Sequence, residues 1–180
     1  MKDIAKNNQK NEVTRAKEMP SAIDIEKVVL GSILIDKNHD IAFELLNEDS
    51  FYVRSHQDIF KVMKKLKADN IGIDLKIVSR KIIDQKLEVN QVDLINLTQS
   101  IASSAHLEHH CRILHQKQME RGLIQISHDT AKTAYEQQTD TFEQIDTIFN
   151  RIDNLSDLIV SNKMPDVDDL IKDIIDEGDK

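Results

Sequence analysis

Apolar residues recur at helical spacing through nearly the whole chain, and the intervals between breakers divide them into elements. Structure is predicted to begin near Pro20, where Ser21-Ala22-Ile23-Asp24 has the Ser-x-x-Asp form of a helix start. The serine oxygen can accept an orphan backbone N–H, and the acid suits the positive end of the helix dipole. Ile25, Val28, Val29, Leu30, Ile33 and Leu34 then give a broad apolar face. Gly31 within it costs about 1 kcal/mol relative to alanine, which a close helix crossing would offset. A short helix near Ile41 to Leu46 and a turn over Asn47 to Ser50 follow. Ser55-His56-Gln57-Asp58 repeats the capping pattern before Ile59, Phe60, Met63 and Leu66, and Asn70-Ile71-Gly72 ends that helix. Asp74 is the predicted cap of a helix carrying Leu75, Val78, Ile82 and Ile83. One more helix, from about Gln91 to Ile101, brings Leu94, Ile95 and Leu97.

The second half has a different texture. From Ala105 to about Glu136 there is no proline and no cluster of breakers, so one long helix is predicted, with Ser103-Ser104 before it and Gly122 its weak point. A turn at Gln137 to Asp140 and a capping-box pattern at Thr141-Phe142-Glu143-Gln144 lead into a helix bearing Phe142, Ile145, Phe149, Ile152 and Ile159, flanked by Ile148 and Leu155. Positions three and four apart form the narrow seam of near-parallel or antiparallel helix packing. A lone hairpin cannot cover both seam and flank, and each large side chain left wet forgoes roughly 1.5–3 kcal/mol. Either the chain's own globular half or a second copy of the hairpin is the predicted cover. After a break at Asn162 to Pro165, Val167, Leu170, Ile171, Ile174 and Ile175 form a one-sided stripe on an acidic helix, of the kind that docks on a neighbouring subunit or folds back on its own domain.

The reading is therefore an all-α chain in four parts. Residues 1–18 are a polar, disordered leader, 19–104 a multi-helix globular subdomain, 105–160 a helical hairpin and 161–180 a linker with an amphipathic acidic helix. With 180 residues there is room for one domain and an extension. Four glycines and two prolines leave little for tight hairpins of strands. The single cysteine, Cys111, excludes an internal disulfide, and no apolar run reaches the length of a membrane span. A reducing cytoplasm is the predicted setting.

Charge narrows the partners. The net charge is −8, with five cations against three acids in residues 1–18, a net of +2, and seven acids against two cations from Asp166 onward, a net of −5. An acidic chain with seven aromatics repels phosphates and has few stacking platforms, which disfavours direct binding of DNA and favours protein partners.

Catalytic signals are sparse. No Gly-x-x-x-x-Gly-Lys-[Ser/Thr] loop occurs, so nothing in the chain can cradle nucleotide phosphates in that way. His106, His109, His110, Cys111 and His115 form the one tempting cluster. His106 with His110, or Cys111 with His115, would hold two corners of a metal site, but the pairs point to different faces with no second group to complete either. Solvated histidines around a small buried cysteine are the reading taken, and no metal, cofactor or catalytic residue is assigned. The acid pairs Glu48-Asp49 and Asp168-Asp169 read as solvated faces, and no Gly-x-Ser-x-Gly turn marks a nucleophile.

Met19-Pro20-Ser21, Glu26, Val29-Leu30-Gly31, Phe51-Tyr52, Ser55-His56, Ile59-Phe60 and Ile73-Asp74-Leu75 together resemble the N-terminal domain of DnaB-type replicative DNA helicases. The resemblance runs from about Met19 to Val160. It departs from the family pattern at His110, at His115-Gln116-Lys117 and at Asn90-Gln91-Val92-Asp93, which marks a divergent branch. It implies a non-catalytic collar of the primosome: a dimer paired through hairpins, and a hexamer as a trimer of dimers. It implies binding of the primase C-terminal domain, leaves a helicase loader as a further partner, and docks the linker helix at Val167 to Ile175 on an adjacent motor. ATP and Mg2+ would act only in that motor, which the roughly 100–200 residues of one domain cannot include. A stand-alone adaptor, loader or inhibitor with the same collar fold is the alternative. A small histidine-dependent metalloenzyme is the third.

Overall fold

The computed structural model describes residues 18–36, 39–99, 106–136 and 140–161. All of the predicted leader but Glu18, the Ser103-Ser104 pair, most of the turn before Asp140, and the stripe of Val167, Leu170, Ile171, Ile174 and Ile175 lie outside those residues. Among the described residues every regular element is helical: α1 (Ile23–Ile35), α2 (Asp40–Leu45), a 3-10 turn (Glu48–Ser50), α3 (Arg54–Ala68), α4 (Leu75–Asp84), α5 (Gln91–Gln99), α6 (Leu107–Glu136) and α7 (Thr141–Ser161). None of the described helices is long and apolar enough to cross a membrane.

α1 is the central helix of the globular half, hereafter the head. Val29, Leu30, Gly31, Ser32, Ile33 and Leu34 are all buried, as expected of a helix apolar around most of its girth. It packs on α3, α5 and α6, while α2 lies against α6 and α4 against both α3 and α5. α3 is one-sided, turning His56, Ile59, Phe60, Met63 and Leu66 inward. Phe60 joins the layers, with its ring centroid 5.4 Å from Phe43 and 4.9 Å from Phe51.

α6 belongs to both halves. Leu107, Cys111, Leu114 and Gln118, spaced four, three and four apart, are buried, so its first three turns complete the head core. Its remainder leaves the head and pairs with α7 as a hairpin.

The capping pattern at Asp74 is realised, with Oδ1 accepting from Ile77 N at 2.8 Å. Three other predicted caps are displaced. α1 starts after Ala22 and α3 after Val53, neither with a side-chain cap, which leaves Ser21 outside its helix and Ser55 inside the first turn of its own. At α7 the capping oxygen comes from Asp140, accepting from Phe142 N at 2.8 Å, one residue ahead of Thr141. The turn at Asn47–Ser50 closes as a reciprocal capping box, Asn47 Oδ1 accepting from Ser50 N and Ser50 Oγ accepting from Asn47 N, both at 3.1 Å.

Candidate functional site

Two faces of α7 carry apolar residues, and the fold uses one of them. Gln144, Ile148, Arg151 and Leu155 are half-buried and recur four, three and four apart. Leu155 rests on Gly122 of α6, where a Cβ would stand 2.7 Å from its Cδ1. Gly122, the weak point of the helix by propensity, is thus where a side chain of the second hairpin helix takes the space a Cβ would fill. Nearer the tip, Arg151 Nη2 donates to Asp129 Oδ2 at 2.8 Å. That bond, ahead of every other influence, holds the Asp129 carboxyl below its ordinary range. A gap of about 220 Å3 beside this pair is lined by Thr130, Thr133, Thr147 and Ile148. Thr133 and Thr147 donate their hydroxyls back to the carbonyls of Asp129 and Glu143, so each is satisfied within its own helix.

The other face is the predicted seam. Phe142 is 79% exposed, Ile145 43%, Phe149 62% and Ile152 39%. At 3.6 residues per turn this row lies roughly 110° around the helix from the row facing α6. The head does not cover it. α6 adds Leu123, Ile124 and Tyr135 to the exposed apolar surface of the hairpin. Ile159 falls on the last turns of α7, and its side chain lies outside the described residues.

At the root of the hairpin the chemistry is polar. Gln118 Oε1 accepts from Ser50 Oγ at 2.8 Å and its Nε2 donates to Asn47 Oδ1 at 3.0 Å, so the capping box of the 3-10 turn is itself gripped by α6. One turn on, Arg121 donates to the carbonyls of Pro20, Asp49 and Ser50. Burial draws the guanidinium below its ordinary pKa, against the opposing charges of Glu26 and Asp49. Behind the same turn the Glu26 carboxylate is fully buried and accepts from Tyr52 N, Val53 N and His56 Nδ1. The sequence motif contains both Glu26 and His56; their pairing is a product of the fold. Gln118 and Arg121 were legible only as polar residues continuing the 107, 111, 114 register.

The histidine cluster does not converge. Among the described residues no three His, Cys, Asp or Glu side chains are grouped to hold a metal ion. Cys111 points into the head core, and burial pushes its thiol pKa up to about 12. Burial also lowers that of His110, helped by its neighbours His109 and His106. Glu48 of the acid pair bonds Lys64 at 3.6 Å on the surface.

Comparison with known proteins points one way. Residues 18–116 match the DnaB-like helicase N terminal domain family. The chain is 30% identical over 161 residues to the replicative DNA helicase DnaB of Rhodothermus marinus, an alignment covering 87% of this chain and 17% of that relative. The chain thus spans under a fifth of that protein. Its fold is similar to the N-terminal domain of DnaB helicase from Mycobacterium tuberculosis, with a TM-score of 0.71 at 20% identity over 76% of this chain and 99% of the other. A DnaB-like replicative helicase whose structure was described with its interactions with primase is similar at a TM-score of 0.57 and 17% identity, over 86% and 35% of the two chains.

Proposed function

The chain belongs to the family of DnaB-like helicase N-terminal domains, and we propose that it works without chemistry of its own, as the self-assembling, partner-binding collar of a replicative DNA helicase. The observation that carries this reading is the row Phe142, Ile145, Phe149 and Ile152, left uncovered on a helix whose neighbouring face is already occupied by its own hairpin partner. Four large apolar side chains at helical spacing match what a second copy of the same helix would offer. Such a contact is self-complementary, each row packing on the other about a twofold axis. Ile159 extends the row by two turns in this reading.

Six copies then form a ring as a trimer of dimers. Residues 19–104 act as the head and 105–160 as the pairing hairpin, between a polar leader (1–18) and a linker (161–180). The stripe Val167, Leu170, Ile171, Ile174 and Ile175 docks on an adjacent motor domain in the cytoplasm. ATP, Mg2+ and the grip on DNA belong to that motor, since the net charge of −8 makes this segment a poor ligand for phosphates. The primase C-terminal domain is the partner the collar recruits, a reading supported by the shared fold with a DnaB-like helicase described with its primase interactions; a helicase loader is a second candidate.

Light scattering across a range of concentrations tests the central step. The wild-type mass is expected to be a multiple of the chain's 20.7 kDa, and Phe149→Asp or Ile152→Asp to return it to a single chain by placing a charge in the seam. An unchanged mass in a folded Phe149→Asp protein would overturn the pairing.

A further inference from the structure

Residues 118–122 fill little more than one turn of α6, and that turn is held from two directions. On the head side, Gln118 and Arg121 continue the register of Leu107, Cys111 and Leu114, so the stripe that seats α6 in the head changes from apolar to polar as the helix emerges. The Arg121 fork then reaches two stretches far apart in sequence. Nη1 donates to Pro20 O at 3.0 Å, Nη2 donates to Asp49 O at 2.6 Å and Ser50 O at 3.1 Å, and the guanidinium lies 5.9 Å from the centre of the Tyr52 ring. On the hairpin side, the next residue is Gly122, the seat of Leu155. Head and second hairpin helix therefore meet α6 at the same level.

Apolar packing does not fill this junction. A cleft of about 420 Å3 runs beside it, bounded by Met19, Tyr52, Gln125 and Leu155. α6 runs unbroken through the junction and is seated in the head by Leu107, Cys111 and Leu114; with open space beside the turn where it emerges, the directional bonds of Gln118 and Arg121 are what hold that turn against the head.

We infer that residues 118–122 form an elbow that sets the angle at which the hairpin leaves the head, with Arg121 as its latch. Arg121 is a positioning residue: its planar fork satisfies carbonyls from both strands of chain at once, which a lysine ammonium on a flexible stem cannot reproduce. The elbow stands apart from the self-association reading, because it concerns the shape of one chain. Its consequence for any ring is that the heads and hairpins are placed by a single angle.

Spin labels on Lys61→Cys in the head and Thr141→Cys at the start of α7 read that angle as a distance. Both sites are exposed, and the buried Cys111 stays unlabelled. Labelled chains diluted in excess unlabelled chain keep the measured pair within one molecule, whatever the oligomer. The wild type is expected to give one narrow distance, and Arg121→Ala to lose it for a broad distribution while helix content and a cooperative melt are retained. A single narrow distance in folded Arg121→Ala overturns the latch. Should that variant fail to fold, Arg121→Lys decides in the same way, since it keeps charge and stem without the fork.

Discussion

Glu26 and His56 stand 30 positions apart in the chain and 2.7 Å apart in the fold. A carboxylate only accepts, so the imidazole presents its proton on Nδ1. The same carboxylate accepts from Tyr52 N at 2.6 Å and Val53 N at 3.3 Å, just ahead of α3. A side chain on α1 thereby satisfies the amides of the two residues that lead into α3, the second of them the residue just before its first turn.

Glu26→Ala removes that acceptor from three donors at once, the buried imidazole of His56 and the part-buried amides of Tyr52 and Val53. Leaving a buried donor unsatisfied costs about 1–3 kcal/mol, and the expected result is a large fall in the urea midpoint with the slope unchanged. His56→Ala should cost less, because the two backbone donors keep their partner. Equal midpoints for Glu26→Ala and wild type would refute the stabilising role of this long-range contact.

This pair also explains which parts of the fold were legible in the sequence. Element existence and order followed from apolar period and breaker spacing, because burial imposes that period wherever one helix face meets the core. The cap expected at Ser55 is absent because α3 already begins at Arg54; the amides of Tyr52 and Val53 that lead into it are held by Glu26 from another helix, and local pattern carries no trace of a partner 26 or 27 residues away. At α7 two local candidates competed, and Asp140 took the position assigned to Thr141. For the hairpin, both apolar rows of α7 were visible as positions. Which row faces α6 was not, since it is decided by Gly122 and Asp129, whose partners Leu155 and Arg151 lie a whole turn-back away.

Lys86 has φ of 54°, in the left-handed region that closes α4. Leu87 N donates to Ile82 O at 3.1 Å and Lys86 N to Ile83 O at 3.0 Å, the paired bonds of a helix end that normally takes glycine. Lys86→Gly should therefore stabilise the protein by about 1 kcal/mol, less the extra freedom given to the unfolded chain. Asn70 has the same φ of 54° at the end of α3, but asparagine tolerates it better, so Asn70→Gly should gain less. Thermal melts of the two variants side by side check the order, and destabilisation by Lys86→Gly would count against it.

Asp129 gives the hairpin a pH dependence whose sign is fixed. Its folded-state pKa lies below the ordinary value of 3.8, chiefly through the bond from Arg151. A depressed carboxyl contributes stability above its unfolded pKa and loses it as pH falls through the folded one. Wild type should thus melt above Asp129→Asn at neutral pH, and the gap should close in acid below the ordinary aspartate range. Added salt should narrow it too, since the pair is partly exposed. A gap that persists undiminished in acid would mean that the substitution acts through packing instead.

Ile148 and Phe149 are neighbours with opposite expectations. Ile148 is half-buried on the row that faces α6, and it lines the gap beside Asp129 and Arg151. Phe149 is 62% exposed on the uncovered row. A charge at Ile148 is forced against the chain's own hairpin, so Ile148→Asp should lower helix content and the melting temperature of the hairpin in dilute protein. Phe149→Asp places the same charge in water within the single chain. Its melt at high dilution should match wild type, and its defect should grow with concentration, as association removes wild-type seams from solvent. Were Phe149→Asp as damaging as Ile148→Asp at every concentration, the outer row would belong to the fold of one chain, and the surface assigned to assembly would have to be sought elsewhere on the hairpin.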